Sequence, residues 1–247
     1  MRFGGKRVIV TGGASGFGRA ISQGFAGRGA QVMVTDIDID GAEAVAADLD
    51  GALTFRLDVT DEDAHAELAQ LMTDTWGGID IVATNAGFSH RAGYTLNVPT
   101  DEFDLMWAVN TRSIYFAVKH FTPHMGPGSS IVSTASIGGK RPRKGFTPYN
   151  ASKAAAIILT RGLAEEFAPD IRINCVAPVA SETAFFVRAT GSDTLPDPLK
   201  QSIIDGIPMG RMTDPTDVAN AVMFLASDEA SFLTGVCLDV DGGRSIS

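Results

Sequence analysis

The sequence is poor in the features that cross-link a chain, carry it through a membrane or bind polyanions. It has 2 cysteines, too few for a disulfide framework and typical of a reducing cytosol. No apolar run approaches the roughly 18–20 residues that span a bilayer, and no apolar leader precedes the first strand-like segment. With 20 Lys and Arg against 29 Asp and Glu, the net charge is −9, which argues against nucleic acid or an anionic membrane as the main partner. We therefore expect a soluble, cytoplasmic, globular protein.

Seven strand-like runs alternate with longer helical patterns along the 247 residues. This alternation is typical of a parallel sheet that is covered by helices on both faces. Right-handed strand–helix–strand units then predict an α/β, doubly wound, Rossmann-type sheet. No linker, repeat or change of composition divides the chain, so we expect a single domain over residues 1–247. The predicted strands are 7–11, 31–36, 53–58, 79–85, 130–133, 172–177 and 236–240.

Helical patterns occupy the intervals between most of these strands. A long helix is predicted at 101–121, whereas residues 178–210 are predicted to be irregular. The last helix has its own start signals, with Asp214 as N-cap, Pro215 at the first helical position and Asp217 in the first turn. The predicted helices are about 17–28, 40–49, 61–76, 101–121, 149–167 and 215–226.

A glycine-rich turn, Thr11-Gly12-Gly13-Ala14-Ser15-Gly16-Phe17-Gly18, joins the first strand to the first helix. Glycines let the backbone approach a phosphate closely, and the helix N-terminus behind them offers free N–H groups and a positive dipole. The spacing is T-G-x-x-x-G-x-G without Gly-Lys-Ser/Thr, which excludes a P-loop. Because the turn lies where open parallel sheets bind ligands, we favour a dinucleotide site over a plain tight turn. The expected contacts are Gly12, Ser15, Gly16, Phe17 and Gly18.

Asp36 ends the second strand, 18 residues after Gly18. A carboxylate at this place can accept hydrogen bonds from the ribose hydroxyls of adenosine, and it would repel a 2′-phosphate. No Lys or Arg lies in the glycine turn or directly after Asp36, where Ile37 follows, to neutralise such a phosphate. The pattern therefore favours NAD over NADP. Asp58, followed by Val59 at the end of the third strand, can reach the adenine edge or cap the helix that begins near residue 61.

A Tyr-x-x-x-Lys pair, Tyr149 and Lys153, lies at the start of a predicted helix, where residues four apart share a face. A phenol with a pKa of about 10 is a poor base at neutral pH, but a nearby ammonium and a cationic nicotinamide ring favour the phenolate. Ser136, just after the fifth strand, can meet the phenol across a carbonyl or alcohol oxygen; alone it would read as a loop cap. Asn110 can bond the backbone, hold a water beside Lys153, or be an ordinary helix asparagine.

Together these segments resemble the short-chain dehydrogenase/reductase family, in its form of about 250 residues. The resemblance implies that Tyr149 is the catalytic acid and base and that Ser136 holds the substrate oxygen. It also implies that Lys153 lowers the phenol pKa and binds the nicotinamide ribose, and that Asn110 anchors a relay water. The matching segments are Thr11–Gly18, Asp36, Asp58-Val59, Asn85-Ala86-Gly87, Asn110, Ser136, Tyr149–Lys153, Asn174–Pro178, Thr183, Thr234-Gly235 and Asp241-Gly242-Gly243.

The resemblance also assigns the remaining cofactor contacts and an oligomeric state. Asn85-Ala86-Gly87 would border the cofactor, and Thr183 would contact the carboxamide. The family usually has Pro-Gly after the sixth strand; here Pro178-Val179 puts a side chain beside the nicotinamide. A homotetramer, or a homodimer, is implied through the helices that carry Asn110 and Tyr149.

The function expected from these residues is NAD-dependent hydride transfer between a secondary alcohol, or its ketone, and nicotinamide. An alternative is a catalytically silent NAD(H)-binding regulatory or scaffold protein, against which the complete Asn, Ser, Tyr and Lys set argues. Epimerases and dehydratases of related chemistry usually carry an extra substrate domain, for which this chain has little room.

Three segments are expected to line the substrate pocket: 88–96, 138–147 and 184–209. The third segment reads as an apolar lid that excludes water, or as a helix pair packed on the core or on another subunit. Its apolar residues are Phe185, Phe186, Leu195, Leu199, Ile203 and Ile204. His90 is a further candidate substrate contact. His120 and His124 lack a third ligand, so no metal site is expected.

The second of these segments contains a basic cluster, Lys140-Arg141-Pro142-Arg143-Lys144. It can hold an anionic group of the substrate at the mouth of the pocket. Charge runs more often form solvated loops or pair with carboxylates at interfaces, and that interpretation is the more common one.

Overall fold

The computed structural model describes residues 1–182 and 197–246, apart from the side chain of Leu199. Its centre is a seven-stranded sheet in the order β3-β2-β1-β4-β5-β6-β7, and every neighbouring pair is parallel. The predicted doubly wound sheet is therefore confirmed. The strands are β1 Arg7–Thr11, β2 Gln31–Asp36, β3 Leu53–Arg56, β4 Ile79–Thr84, β5 Met125–Thr134, β6 Ile171–Pro178 and β7 Cys237–Val240.

Helices cover both faces of this sheet. A cluster of buried apolar residues packs between the sheet and the helices on each face. One cluster involves α1 and α8, and the other involves α3, α5 and α6. The alternation along β1 shows why, because Val8 and Val10 pack in the first cluster and Ile9 packs in the second. The helices are α1 Gly16–Ala26, α2 Ile39–Ala46, α3 Glu62–Trp76, α4 Thr100–Trp107, α5 Ser113–Phe121, α6 Thr147–Phe167, α7 Asp197–Asp205 and α8 Pro215–Ala226.

Side chains at the helix ends account for several of these boundaries. Asp214 and Asp217 form a capping box at the start of α8, with Pro215 at the first helical position, as predicted. The carboxylate of Asp61 accepts hydrogen bonds from two backbone N–H groups in the first turn of α3. That helix ends at Gly77, whose φ of 81° lies in the left-handed region. Among the described residues, no helix is both long and apolar enough to cross a lipid bilayer.

The predicted long helix over 101–121 is present, and it contains a π-helical segment, Ala108–Arg112, between α4 and α5. The wide turn places the Asn110 side chain against the chain segment that follows β4, where its amide bonds the Phe88 backbone. Insertions of this kind are frequent at functional sites.

The prediction that residues 178–210 are irregular is wrong, because α7 lies within them. α7 begins with Asp197 and Pro198, an acidic residue and a proline in the first turn, which are favourable at a helix start. β5 begins at Met125 rather than at residue 130, because its Ser129–Thr134 part pairs with β6 and Met125 pairs with Ile79 of β4 across an irregular register.

Candidate active site

A cavity of about 780 Å³ extends along the carboxyl ends of the strands. Its walls include residues that follow each of the strands β1 to β7, at the edge where open parallel sheets bind ligands. The predicted site residues that line it are Gly12, Ser15, Gly16, Phe17, Asp36, Ile37, Asp58, Val59, Asn85, Ala86, Gly87, Ser136, Tyr149, Lys153, Pro178 and Val179. Gly18 and Asn110 lie outside this lining, and Thr183 lies outside the described residues.

The glycine turn needs its glycines for two different reasons. Gly12 has a φ of +65°, and a Cβ on it would lie 2.8 Å from the Ala86 Cα. Gly18 has no room for a side chain, because its Cβ would lie 1.9 Å from the carbonyl oxygen of Gly12. The second contact brings the first turn of α1 directly onto the loop. The backbone of Gly12, Ser15 and Gly16 is thereby presented to the cavity.

The first turn of α1 presents backbone N–H groups to the cavity. Ser15 is the N-cap residue, but its side chain makes no capping hydrogen bond, and the first turn contains no acidic residue. N–H groups at such a position, together with the positive end of the helix dipole, bind anions. The loop and helix therefore fit a pyrophosphate.

Two carboxylates line the cavity, Asp36 at the end of β2 and Asp58 just after β3. Asp36 accepts hydrogen bonds from the backbone N–H groups of Ala14 (3.0 Å) and Asp38 (3.1 Å), which ties it to the glycine turn. Asp58 accepts from the backbone N–H and the hydroxyl of Thr60 at 2.9 and 2.8 Å. The cap of α3 is Asp61, so Asp58 holds the turn before the helix while it also lines the cavity.

Asn85 connects the ends of three strands. The Thr11 hydroxyl at the end of β1 accepts from the backbone N–H groups of Asn85 (3.0 Å) and Ala86 (3.1 Å). The Asn85 amide donates to the Gly12 carbonyl oxygen at 3.2 Å and accepts from the Thr134 hydroxyl on β5 at 3.2 Å. The network fixes the glycine turn relative to β4 and β5.

Asn110 is buried, and its amide is committed to protein groups. Its Oδ1 accepts from the Phe88 N–H at 2.9 Å. Its Nδ2 donates to the Phe88 carbonyl oxygen (2.8 Å) and to the Ser152 hydroxyl (3.0 Å). Of the interpretations left open, the structure shows the backbone bond. The Asn110 side chain thus holds the loop after β4 against the start of α6.

Ser136 and Tyr149 meet across the cavity. Ser136 caps the short 3-10 helix Ile137–Gly139, with its Oγ accepting from the Gly138 N–H at 3.0 Å. Its hydroxyl also hydrogen-bonds the Tyr149 phenol. Burial raises the pKa of Tyr149, and the Ser136 hydrogen bond and the Arg143 charge act in the opposite direction.

Lys153 lies one helical turn beyond Tyr149 and is buried. Its Nζ donates to the Thr134 carbonyl oxygen at 2.8 Å, and burial lowers its pKa to about 8. The sequence predicts that this ammonium lowers the phenol pKa. Among the described groups, Ser136 and Arg143 favour the Tyr149 phenolate and burial outweighs them, so the effect of Lys153 stays a prediction.

The side chains of the predicted basic cluster, Lys140–Lys144, lie in different surroundings. Arg141 and Arg143 line the cavity, whereas Lys140 donates to Asp239 at 2.6 Å and Lys144 lies outside the lining. A third arginine, Arg244, lines the same end of the cavity. Sequence reasoning missed Arg244, because no motif connects it with a loop about 100 residues earlier.

His90, His120 and His124 lie near protein groups. His90 is not among the lining residues; its ring packs on Phe146, and its Nε2 lies 3.2 Å from the Gly145 carbonyl oxygen. His120 lies 3.1 Å from Glu62, and His124 lies 2.7 Å from the Thr73 hydroxyl. Within residues 1–182 and 197–246, no three potential metal ligands come together.

The sheet order and the cavity at its carboxyl edge are those of a Rossmann-type α/β protein. A protein-family model described as enoyl-(acyl carrier protein) reductase matches residues 12–245. The chain is 44% identical over 246 residues to 4-formylbenzenesulfonate dehydrogenase of Comamonas testosteroni, with 97% of each chain covered. It is 35% identical to 2,5-dichloro-2,5-cyclohexadiene-1,4-diol dehydrogenase of Sphingobium indicum, with 99% of this chain and 98% of the relative covered.

A solved structure agrees with these relatives. The 3-ketoacyl-(acyl-carrier-protein) reductase of Brucella melitensis, complexed with NADH, superposes with a TM-score of 0.91 at 36% identity. The match covers 98% of this chain and 99% of that one. The protein belongs to the short-chain dehydrogenase/reductase family, a family of oxidoreductases.

Proposed function

We propose that the protein is an NAD-dependent oxidoreductase that transfers a hydride between a secondary alcohol, or its ketone, and nicotinamide. The observation that carries this proposal is one cavity with a phosphate-binding turn and Asp36 at one end and Ser136, Tyr149 and Lys153 at the other. Relatives named as dehydrogenases, and one solved in complex with NADH, support the same reaction class.

The residues fit a dinucleotide. The turn at Gly12 and the first turn of α1 would hold the pyrophosphate, and Asp36 would accept hydrogen bonds from the adenosine ribose. The Asp36 carboxylate disfavours a 2′-phosphate, which supports NAD over NADP. Beside the nicotinamide half we place Lys153 and Val179. The full set of proposed cofactor contacts is Gly12, Ser15, Gly16, Phe17, Gly18, Asp36, Ile37, Asp58, Val59, Asn85, Ala86, Gly87, Tyr149, Lys153, Pro178, Val179 and Thr183.

When bound, the nicotinamide supplies the hydride acceptor for oxidation and the hydride donor for reduction. Ser136 holds the substrate oxygen by a hydrogen bond. In oxidation, the Tyr149 phenolate takes the hydroxyl proton as the C–H bond breaks and the C=O bond forms; in reduction, the phenol returns the proton. With a pKa of about 8, Lys153 is mostly protonated at neutral pH and can exchange a proton beside the phenol. Asn110 positions the loop that closes this end of the cavity.

Replacing Tyr149 by phenylalanine tests the assignment. We expect Tyr149→Phe to retain NADH binding and to lose turnover by roughly 100- to 10,000-fold, the usual contribution of a general acid–base group. The measurement is NADH formation from NAD⁺ against a panel of alcohols, sugars and hydroxyacyl thioesters, with NADP⁺ in parallel. Tyr115→Phe is the matched control, because Tyr115 lies on α5 outside the cavity lining and the substitution keeps its ring.

Two results would contradict the proposal. Turnover retained by Tyr149→Phe would remove Tyr149 from the chemistry. NADH binding without turnover of any substrate by the wild-type protein would favour the catalytically silent alternative.

We also propose the predicted lid and oligomer. Of the lid segment, residues 184–196 lie outside the described residues, but Ser202 and Ile203 on α7 line the cavity, which supports a cover at this place. A homotetramer or homodimer through α5 and α6 is supported by the exposed apolar surface of Tyr115 and Ile158 on these helices.

A further inference from the structure

Charge is unevenly distributed along the cavity. Its described acidic residues, Asp36 at the end of β2 and Asp58 just after β3, lie at the end assigned to adenosine. Its arginines, Arg141, Arg143 and Arg244, follow β5 and β7 at the opposite end of the sheet. This separation stands out in a chain with a net charge of −9, because cations are the scarcer charges. The arginine end lies beside Ser136 and Tyr149, where the reacting part of a substrate would bind.

Arg143 is held in place beside the acid–base residue. Its carbonyl oxygen accepts from the Asn150 amide (3.0 Å) and from the Phe146 N–H (3.3 Å), so the backbone of this loop is anchored to the start of α6. The Arg143 Cζ lies 4.5 Å from the centre of the Phe146 ring, which lies 6.5 Å from the centre of the Tyr149 ring. The guanidinium is therefore within about 11 Å of the Tyr149 ring, a span that a small molecule can bridge.

The other two arginines converge on the same place. Arg141 donates to the Arg244 carbonyl oxygen at 3.3 Å, and Arg244 donates to the Gly206 carbonyl oxygen at 2.5 Å. The charge of Arg244 acts on Arg143 as a repulsion. Within the described residues, no carboxylate forms an ion pair with Arg141 or Arg143. Like charges that are brought together in this way attract an anion from solution.

Apolar side chains form part of the cavity wall near these arginines and the reacting centre. The Phe146 ring contacts the Arg143 guanidinium and lies near the Tyr149 ring, and further apolar lining comes from the loop after β4, α4, the π-helical segment and α7. These are Phe88, Leu105, Val109 and Ile203. A wall of this kind suits an aromatic ring or an alkyl chain rather than a sugar.

We propose that the arginine end of the cavity binds an anionic group of the substrate, a carboxylate or a sulfonate, with Arg143 as the main specificity-determining residue. The inference rests on the proposed function. It narrows the substrate class to alcohols or carbonyl compounds with an apolar body and one anionic group away from the reacting carbon. A planar guanidinium can bind such a group through two parallel hydrogen bonds.

The test compares one substrate in charged and neutral form. We would measure NAD⁺-dependent oxidation of 4-(1-hydroxyethyl)benzoate and of its amide, 4-(1-hydroxyethyl)benzamide, by the wild-type protein, Arg143→Gln and Lys144→Gln. We expect the wild-type protein to prefer the acid and Arg143→Gln to lose roughly tenfold or more in kcat/KM for the acid, mainly through KM. The amide should change by less than about twofold. Lys144→Gln removes the same charge from the same loop outside the cavity and should change neither substrate.

Salt and an inert anion provide independent readouts. The KM for the acid should rise with ionic strength, whereas that for the amide should not. Benzoate should inhibit the wild-type protein more strongly than benzamide, and Arg143→Gln should remove this difference even if its turnover is low.

Three other results would contradict the inference, and they differ in what they mean for the proposed function. An equal loss for acid and amide in Arg143→Gln would overturn the inference and assign Arg143 to the support of Tyr149. Oxidation of neutral alcohols but not of the acid would overturn the inference and leave the proposed function intact. Failure of the wild-type protein with every alcohol, charged or neutral, would overturn both.

Discussion

Gly18→Ala is the sharpest test of the phosphate-binding turn. A Cβ at this position would lie 1.9 Å from the Gly12 carbonyl oxygen and 2.7 Å from the Asn85 amide nitrogen. The first distance is more than 1 Å short of the closest approach that Cβ atoms make, and the obstacle is backbone rather than a flexible side chain. α1 and the turn must therefore move apart. Because Asn85 also bonds Gly12, the displacement extends to the end of β4.

The size of the effect follows from the cost of overpacking, about 1–3 kcal/mol. If that cost falls on the nucleotide-binding conformation, the affinity for NADH drops by roughly 5- to 150-fold. The assay is a fluorescence titration with NADH, with circular dichroism and thermal unfolding measured on the same sample. Gly162→Ala is the matched control, because Gly162 lies in α6 and a Cβ there meets nothing within 4 Å. It should bind NADH normally and gain up to about 1 kcal/mol of stability.

The reasoning is refuted if Gly18→Ala is folded and binds NADH as tightly as the wild-type protein. That result would mean that the close contact between helix and turn is not needed for the dinucleotide. The glycines would then serve chain packing alone.

Two further predictions concern stability. Burial lowers the pKa of His65, whose Nδ1 lies 2.8 Å from the Asp61 carbonyl oxygen, so the unfolded chain binds the proton more readily. The free energy of unfolding should then fall as the pH drops below about 6.5, by at most about 1.4 kcal/mol per pH unit, and urea titrations of His65→Leu should lack this component. The Asp80 carboxylate accepts hydrogen bonds from the Arg7 guanidinium at 2.7 and 2.9 Å. Although burial acts in the opposite direction, these bonds hold the pKa of Asp80 below its usual value. Asp80→Asn should lose about 1–3 kcal/mol in urea unfolding at pH 7 but little at a pH below the folded-state pKa of Asp80, and an equal loss at both would contradict this account.

The sheet could be predicted because its signals are local. β1 and β2 begin and end where the sequence predicts, since each is a short run of β-branched residues bounded by turn residues. The π-helical segment could not be predicted in the same way. It accompanies the bonds of Asn110 to Phe88, 22 residues earlier, and to Ser152, 42 residues later, and no periodicity within the helix records them. Tertiary contacts of this kind override helical propensity.

In the candidate site, too, local motifs could be predicted from the sequence, whereas properties that depend on tertiary contacts could not. Its glycine turn and its Tyr-x-x-x-Lys pair are short motifs, so spacing alone predicts both. The pKa of Tyr149 could not be inferred from that spacing, because it depends on how completely the phenol is buried. The basic cluster was ambiguous for a similar reason. Adjacent residues diverge there: Lys140 pairs with Asp239, while Arg141 lines the cavity.

The net charge of a protein governs its long-range attraction to other charged molecules. It does not determine which small charged ligand binds in a cavity. An excess of acidic residues repels a polyanion, whose charges extend beyond any one pocket. A single carboxylate or sulfonate responds to the groups within a few ångströms, because solvent and salt screen the rest over about 10 Å. At the arginine end those groups are Arg141, Arg143 and Arg244, although the whole chain carries −9. A negative protein can therefore select a negative substrate, provided that the fold brings its few cations to the reacting centre.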